Sequence, residues 1–215
     1  MSKKKSITKK LLIGTFINHL VVSDRKNGKE YFDYSIDNNG NIKRVKKKYQ
    51  NVLEISKELE KINNKISKKE ANTLLITLCE HHITYNNYMR DKYQQNYEGC
   101  TRIVNFLIKN GANVNIINNL KETPLMLVGK YAHLDIVKLL LKHGAKIDLK
   151  NTFNLDALDI ILNSYNDNIK SGISKSEFNK NELERMLKII NLLTDIKIKN
   201  QYQKQKKLRR KTKKK

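Results

Sequence analysis

The sequence predicts an all-α protein, a solenoid of about three stacked helical units, with an irregular N-terminal segment before it and a disordered basic tail after it. Two stretches of 13 residues, 103–115 and 136–148, superimpose at an offset of 33 residues, and a fixed period of this length is typical of stacked-repeat proteins. Apolar residues recur at helical spacing within each stretch. One proline and eight glycines among 215 residues disfavour a many-turned all-β architecture.

Charge is concentrated at the two ends of the chain. The 44 Lys and Arg residues exceed the 21 Asp and Glu residues, which gives a formal net charge of +23. Residues 1–10 carry five lysines and no acid, and residues 196–215 carry eleven basic residues and no acid. No apolar stretch reaches the roughly 18 residues that a spanning helix needs, and two cysteines cannot form a disulfide framework. We therefore expect a reduced, intracellular protein that does not bind a membrane.

The N-terminal segment, residues 1–70, begins with this basic run. Leu11–Val22 follows it and has the outline of a short signal sequence. Asn18 and His19 interrupt the apolar run, however, and no small-residue cleavage motif follows. A buried helix or strand is the favoured interpretation.

Two elements are predicted later in the same segment. Asn39-Gly40 stands between short runs of aromatic and β-branched residues, which is typical of a hairpin and places one over 31–45. Apolar residues at helical spacing with charges between them predict an amphipathic helix over 52–62.

The middle repeat shows how one unit should fold. Thr123 can cap a helix by accepting a backbone N–H bond, and Pro124 suits the first helical position, where its missing N–H costs nothing. The residues after it predict a first helix over 123–130. A second helix, apolar on most of its surface, is predicted over 133–143, and Gly144 follows at the left-handed stop position. One helical pair cannot cover such a helix, so neighbouring units must stack against it.

These residues resemble the ankyrin repeat. The likeness rests on Thr123-Pro124-Leu125, on the apolar helix that contains Ile136-Val137, on Gly144-Ala145 and on Ile147-Asp148, all within one 33-residue unit. It implies an ankyrin-repeat domain over 71–195, with insertions in the first and third units. The units span about 72–118, 119–151 and 152–195, and the basic tail is 196–215.

The two flanking units are interrupted. In the first unit the first helix is expected at Thr73-Leu74-Leu75, which implies an insertion of about 17 residues near 82–95. In the third unit Asp156-Ala157-Leu158 takes the place of Thr123-Pro124-Leu125. Its second helix, 189–193, comes late after a polar stretch at 163–181.

Several positions depart from the family pattern. Lys121 and Asn154 stand where the family usually has Gly at the turn, and Asn tolerates that backbone conformation better than Lys. Val128-Gly129 replaces two alanines, and Met126 and Asp159 replace a histidine. We expect a solenoid that is less regular and less stable than a consensus array.

The background composition, rich in Lys, Asn and Ile, is similar to that of ankyrin proteins from AT-rich giant DNA viruses that infect amoebae, of the mimivirus kind. That resemblance implies a viral protein, found in the cytoplasm or nucleus of a host cell.

The sequence holds no catalytic motif: it has no Gly-rich phosphate loop, no G-x-S-x-G and no H-E-x-x-H. Cys79 with His81 and His82 has the spacing of a zinc half-site, but Cys100 stands alone, so a second half-site is missing. Buried structural cysteines are the favoured interpretation. We expect no enzyme activity, cofactor, metal or small-molecule substrate.

The ankyrin resemblance implies binding through the turn tips and the exposed face of the first helix. Apolar side chains at such places suit the anchors of a protein interface, and the alternative is that the N-terminal segment or an insertion folds back over them. The expected partner-binding residues are Asn118, Asn119, Leu120, Glu122, Lys130, Tyr131, Thr152, Phe153 and Leu155, with Asn163 and Ser164 at equivalent helix positions.

The tail carries a basic cluster at 204–215 of the kind read by nuclear import receptors or attracted to nucleic acid and anionic membranes. Only Tyr202 is nearby, so sequence-specific reading of bases is not supported. The function expected first is a non-enzymatic adaptor that binds a protein partner. The alternative is a nucleic-acid- or anion-associated protein acting through its basic termini. The anion-binding residues would be Lys206, Lys207, Arg209, Arg210 and Lys211.

Overall fold

The computed structural model describes residues 32–36, 42–46, 56, 66–82, 94–170 and 177–212. They are helical apart from one hairpin and the turns. The strands are β1 (Phe32–Ile36) and β2 (Ile42–Lys46), and the helices are α1 (Lys68–Thr77), α2 (Gln94–Lys109), α3 (Pro124–Lys130), α4 (Leu134–Lys142), α5 (Ala157–Lys170) and α6 (Glu177–Thr212). The chain divides into two compact units, Met1–Ile116 and Ile117–Lys215. Within the described ranges, no helix is both long enough and apolar enough to cross a membrane.

The hairpin lies where aromatic and β-branched residues flank Asn39-Gly40. The two strands pair antiparallel, with Phe32 opposite Lys46 and Ile36 opposite Ile42. The expected N-terminal buried segment at 11–22 and nearly all of the expected helix at 52–62 lie outside the described residues; Ser56, the described residue of that helix, is helical and buried.

Helix α1 of the first unit begins earlier than the repeat pattern suggests. Ser67 caps it reciprocally: the Glu70 amide donates to the Ser67 hydroxyl at 3.2 Å, and the Ser67 amide donates to the Glu70 carboxylate at 2.7 Å. Thr73 is therefore an exposed residue within the helix, where its hydroxyl donates to the Lys69 carbonyl. Leu74 and Leu75 are buried as the apolar pattern predicts.

The α1 helix continues into a five-residue π-helical segment, Leu78–His82. Helix α2 buries Ile103, Val104 and Leu107. Most of the expected insertion near 82–95 lies in residues 83–93, outside the described part of the chain.

The middle repeat matches its prediction closely. Helix α3 starts at Pro124 after the Thr123 cap, whose hydroxyl accepts the Met126 amide at 3.3 Å. Helix α4 occupies Leu134–Lys142, one residue inside the predicted limits at each end. Gly144 follows with φ of 85°, the left-handed conformation expected at a helix stop.

The third repeat packs its two helices on those of the middle repeat. Helix α3 packs against α4 and α5, and α6 packs against α3, α4 and α5. Met186, Ile189 and Leu193 of α6 are buried, so the predicted second helix at 189–193 is present. The polar stretch expected at 163–181 is partly helical, because α5 continues to Lys170 and α6 begins at Glu177.

The prediction of a disordered tail is wrong in the structure. Helix α6 runs 36 residues from Glu177 to Thr212 and passes through the expected boundary at 195 without a break. No Gly or Pro interrupts this span, and its last part consists largely of Lys, Arg, Gln and Leu, which are good helix formers. The packed first half supplies the nucleus that an isolated tail would lack, so adding further turns is favourable.

Candidate functional site

The turn before α3 is held by one asparagine. The Asn118 Oδ1 atom accepts backbone N–H bonds from Leu120 at 2.9 Å and Glu122 at 2.8 Å, while the Asn118 amide donates to the Glu122 carbonyl at 3.1 Å. The Asn118 side chain also donates to the Glu122 carboxylate at 3.0 Å. Both residues are half-buried, so within the predicted binding set they build the turn and present its other members.

The turn before α5 repeats this arrangement 33 residues later. Asn151 Oδ1 accepts from Phe153 at 2.9 Å and Leu155 at 3.0 Å, and the Asn151 amide donates to the Leu155 carbonyl. The two turns are joined directly, because the Thr152 amide donates to the Leu120 carbonyl at 2.9 Å. The sequence analysis did not single out Asn151, although its identity with Asn118 at the repeat period was a signal for it.

Both turns close through a left-handed residue. Lys121 has φ of 57° and Asn154 has φ of 59°, which confirms that these residues replace the family glycine in its conformation. The amides of both residues donate to the carbonyl of the turn asparagine, Lys121 to Asn118 and Asn154 to Asn151. Each turn tip is therefore fixed by backbone bonds on both sides.

Fixed in this way, the tips expose apolar side chains. Leu120 is 48% exposed and Phe153, at the equivalent position, is 70% exposed. Asn119 and Thr152 are exposed beside them, and Leu155 is half-buried. Since residues at the tips are held by a frame that is internally satisfied, an approaching partner meets a preorganised apolar pair.

A second group of predicted residues lies at the end of the first helices. Tyr131 is half-buried and terminates α3, and the Lys130 ammonium lies 5.6 Å from the centre of its ring. The Ser164 hydroxyl donates to the Lys130 carbonyl at 3.4 Å, and Asn163 is exposed next to it. The structure thus brings Lys130, Tyr131 and Ser164 together at one end of α3 and α5.

The residues that replace the family histidine act as helix caps. The Thr123 amide donates to the Met126 sulfur at 3.3 Å, and the Asp156 amide donates to the Asp159 carboxylate at 3.0 Å. Asp156 in turn accepts the amides of Leu158 and Asp159 through Oδ1, both at 3.1 Å. A reciprocal cap at the same place in both units fixes the start of the first helix, and hence the turn before it.

Asp156 also carries an ion cluster that the sequence did not reveal. Its side chain is only 4% exposed; Oδ2 lies 2.9 Å from the Lys197 ammonium of α6 and 3.6 Å from the Lys150 ammonium. Lys150 lies 3.4 Å from the Asp159 carboxylate. Burial acts to raise the pKa of Asp156, but the hydrogen bond from Lys197, the backbone bond from Asp159 and the two positive charges outweigh it and hold that pKa below its ordinary value.

The predicted anion-binding residues lie in the last turns of α6. Lys206, Lys207, Arg209, Arg210 and Lys211 are all exposed. They stand on a helix, not on a disordered tail, so their directions around the helix axis are defined.

The two cysteines belong to the core of the first unit. Both are free and fully buried. Burial raises the pKa of Cys100 to about 12 and raises that of Cys79, which also responds to the neighbouring Cys100. Since the thiolate is the form that binds metal, neutral buried thiols are poor ligands. Among the residues whose side chains are described, no group of three or more His, Cys, Asp or Glu could hold a metal ion.

The repeated turns, caps and helix pairs agree with a comparison against protein families. A family model described as "Ankyrin repeats (3 copies)" matches residues 46–151 and, in an overlapping second match, residues 92–171. Together the matches span more than half of the chain. The chain belongs to the ankyrin-repeat family. The matched region of this ankyrin chain begins upstream of residue 71, where the sequence analysis had placed the start of the domain.

One curated relative is alpha-latrotoxin-Lt1a from Latrodectus tredecimguttatus. It is 35% identical to the ankyrin chain over 81 residues, which make up 35% of this chain and 6% of that protein. Ankyrin repeats generally mediate protein–protein interaction, and the all-α ankyrin solenoid is the fold that the turns described above belong to.

Proposed function

We propose that this protein is a non-enzymatic adaptor that binds a protein partner through its ankyrin turn tips and the exposed ends of its first helices. The observation that carries the proposal is the pair Leu120 and Phe153. These side chains are exposed at equivalent positions of two turns whose backbones are bonded to each other. The membership of the ankyrin family supports a protein as the partner class.

The physics of such a pair favours binding by packing. An exposed Leu and an exposed Phe, held side by side, lose apolar surface to water only when a partner covers them, at about 25 cal/mol per Å² of surface removed. Anchors of this kind are effective when their positions are fixed beforehand, because little conformational entropy is then lost on binding. The Asn118 and Asn151 frames provide that fixation.

The test is partner recovery from a nuclease-treated cell extract with full-length protein and with a Leu120→Ser, Phe153→Ser double variant. Both substitutions lie at exposed tips, so the fold and the melting temperature should be kept. We expect the bound partner to be lost from the double variant and kept by the native chain at physiological salt.

A matched control removes an exposed apolar side chain elsewhere. Ile169 is exposed near the end of α5, away from the turn tips, and Ile169→Ser should keep the partner. Equal recovery by the native chain and the double variant, or equal loss in the Ile169 variant, would contradict the assignment to the turn tips.

A second candidate function is association with a polyanion through the basic termini. The observation that favours it is the exposed end of α6, where seven basic residues and no acid follow Ile198 up to Thr212. A chain ending at Ile198 keeps the Lys197 contact with Asp156 but lacks these charges. If the second function holds, that truncation loses nuclease-sensitive partners; partners that persist in it contradict the second function.

An intracellular location, in cytoplasm or nucleus, fits both functions and is part of the proposal. The viral origin suggested by composition stays a prediction.

A further inference from the structure

Beyond Lys197, helix α6 projects as an exposed arm. Every side chain from Ile198 to Lys211 is exposed, and the helix ends at Thr212. At about 1.5 Å of rise per residue, the arm extends about 20 Å. We call residues 198–212 the basic arm.

The charges of the basic arm are not spread evenly around its axis. Six of its seven basic residues fall in two adjacent rows at helical spacing, which together cover roughly half of the helix circumference. One row is Lys199, Lys206 and Arg210, and the other is Lys204, Lys207 and Lys211. We call these six residues the basic face.

The opposite side of the arm is uncharged apart from Arg209. The residues at spacing i, i+3, i+7, i+10 and i+14 are Ile198, Gln201, Gln205, Leu208 and Thr212, with Tyr202 beside them. This stripe holds too few large apolar residues for a helix that lies in a lipid interface, where one side is made of Trp, Phe and Leu. The asymmetry therefore serves charge and not lipid insertion.

The start of the basic arm is fixed to the third repeat. The Lys197 ammonium, one residue before the arm, contacts the buried Asp156 carboxylate at 2.9 Å. Ile189 and Leu193, one and two turns earlier, are fully buried. A helix held at its base in this way presents its basic face in a constant direction.

We propose that the basic face of the arm binds the phosphate backbone of a DNA duplex along its major groove, an inference that rests on the second candidate function. An α-helix is about as wide as the major groove of B-form DNA, roughly 12 Å, whereas the A-form groove of RNA is too narrow. A duplex carries one charge per about 1.7 Å, so the arm lies along about twelve phosphate charges and can neutralise six with one face. The binding reads no base sequence.

Counterion release gives the size of the effect. With six phosphate contacts, the slope of log K against log salt concentration contains about −5 from the basic face. That contribution weakens binding about a thousandfold between about 50 and 200 mM salt. The basic N-terminal residues add a background that is the same in all variants of the arm.

The experiment measures anisotropy of a labelled DNA duplex of about two helical turns with the full chain over that salt range. The neutral variant carries Lys199→Gln, Lys207→Gln and Arg210→Gln. The exchanged variant adds Gln201→Lys, Gln205→Lys and Thr212→Lys, which restores the native net charge but places three charges on the opposite side. Circular dichroism checks that both variants keep native helix content.

We expect the neutral variant to lose between about 2 and 3 units of slope, because three contacts are removed. The exchanged variant should stay close to the neutral variant, since its new charges point away from the phosphates bound by the basic face. A native slope in the exchanged variant overturns the inference, but leaves the second candidate function intact, because net charge alone would then explain binding.

Two other outcomes also overturn it. If all three proteins bind the duplex alike, neither the basic face nor the second function is supported. If double-stranded RNA, or vesicles of phosphatidylcholine and phosphatidylserine in about a three-to-one ratio, bind more tightly than the DNA duplex at equal salt, the assignment to DNA fails.

Discussion

A substitution at Gly129 tests how α3 and α5 pack. The ankyrin family has alanine at this position, whereas Gly129 is buried here against Ile161 of α5. A Cβ atom at Gly129 would overlap Cδ1 of Ile161 and lie 3.0 Å from Cγ1 of the same side chain. Ile161 is fully buried, so its ethyl end cannot turn aside without displacing other core atoms.

Two opposing terms set the magnitude. Overpacking a core costs about 1 to 3 kcal/mol, and replacing Gly by Ala inside a helix gains about 1 kcal/mol. Gly129→Ala should therefore destabilise the native protein by up to about 2 kcal/mol. Ile161→Val removes Cδ1 and costs about 0.5 to 1.5 kcal/mol by itself. In a protein that already carries Ile161→Val, Gly129→Ala should instead stabilise the fold by about 0.5 to 1 kcal/mol, since the helix term remains and the main overlap is gone.

Urea unfolding of the four proteins, followed by circular dichroism, gives the double-mutant cycle. The coupling energy between the two sites should be about 1 to 3 kcal/mol, with unchanged m-values. If the two substitutions are additive within about 0.5 kcal/mol, Gly129 and Ile161 do not share this space and the reasoning is refuted.

Three other predictions concern stability. Leu140→Ala should cost about 2 to 5 kcal/mol and lower the melting temperature of the repeats far more than the surface control Lys142→Ala, because Leu140 is fully buried in α4; equal shifts would argue against solenoid packing. Lys121→Gly should gain about 0.5 to 1 kcal/mol in urea unfolding, because a left-handed Lys costs about 1 to 2 kcal/mol and glycine returns part of that as unfolded-state entropy; a loss would show that the Lys121 side chain stabilises the turn. Because Asp156 has a lowered pKa in the folded state, it contributes stability above its unfolded pKa of about 4, and that stability is lost as the pH falls through the folded pKa. Urea titrations below about pH 5 should therefore show a steeper loss in the native protein than in Asp156→Asn, and parallel curves would contradict the ion pair with Lys197.

The middle repeat could be predicted almost to the residue, because its determinants are local. A cap at Thr123, a proline after it and a glycine at 144 fix the helix limits through backbone chemistry within a few residues. The start of α1 was also readable, since Ser67 and Glu70 form the S-x-x-E pattern of a capping box. The repeat alignment drew attention to Thr73, whose exposed hydroxyl caps nothing.

The long-range contacts could not be predicted in the same way. Lys197 and Asp156 are 41 residues apart, and nothing local to either residue indicates the other. The helical state of the basic tail depends on the same problem: a charged segment with good helix propensity is helical only if a packed segment nucleates it. Met186, Ile189 and Leu193 provide that nucleus, and their burial follows from the fold of the whole unit.

Asp156 connects the two proposed functions of the molecule. Its equivalent in the middle repeat is Thr123, which caps α3 without carrying charge. Asp156 uses Oδ1 to cap α5 and thereby fixes the turn that exposes Phe153, and it uses Oδ2 to hold Lys197 at the base of the basic arm. A threonine could perform the first task, but only a carboxylate can perform both. The choice of Asp over Thr at this cap is therefore explained by the arm, since a buried carboxylate that had only a helix to cap would be left without a compensating charge.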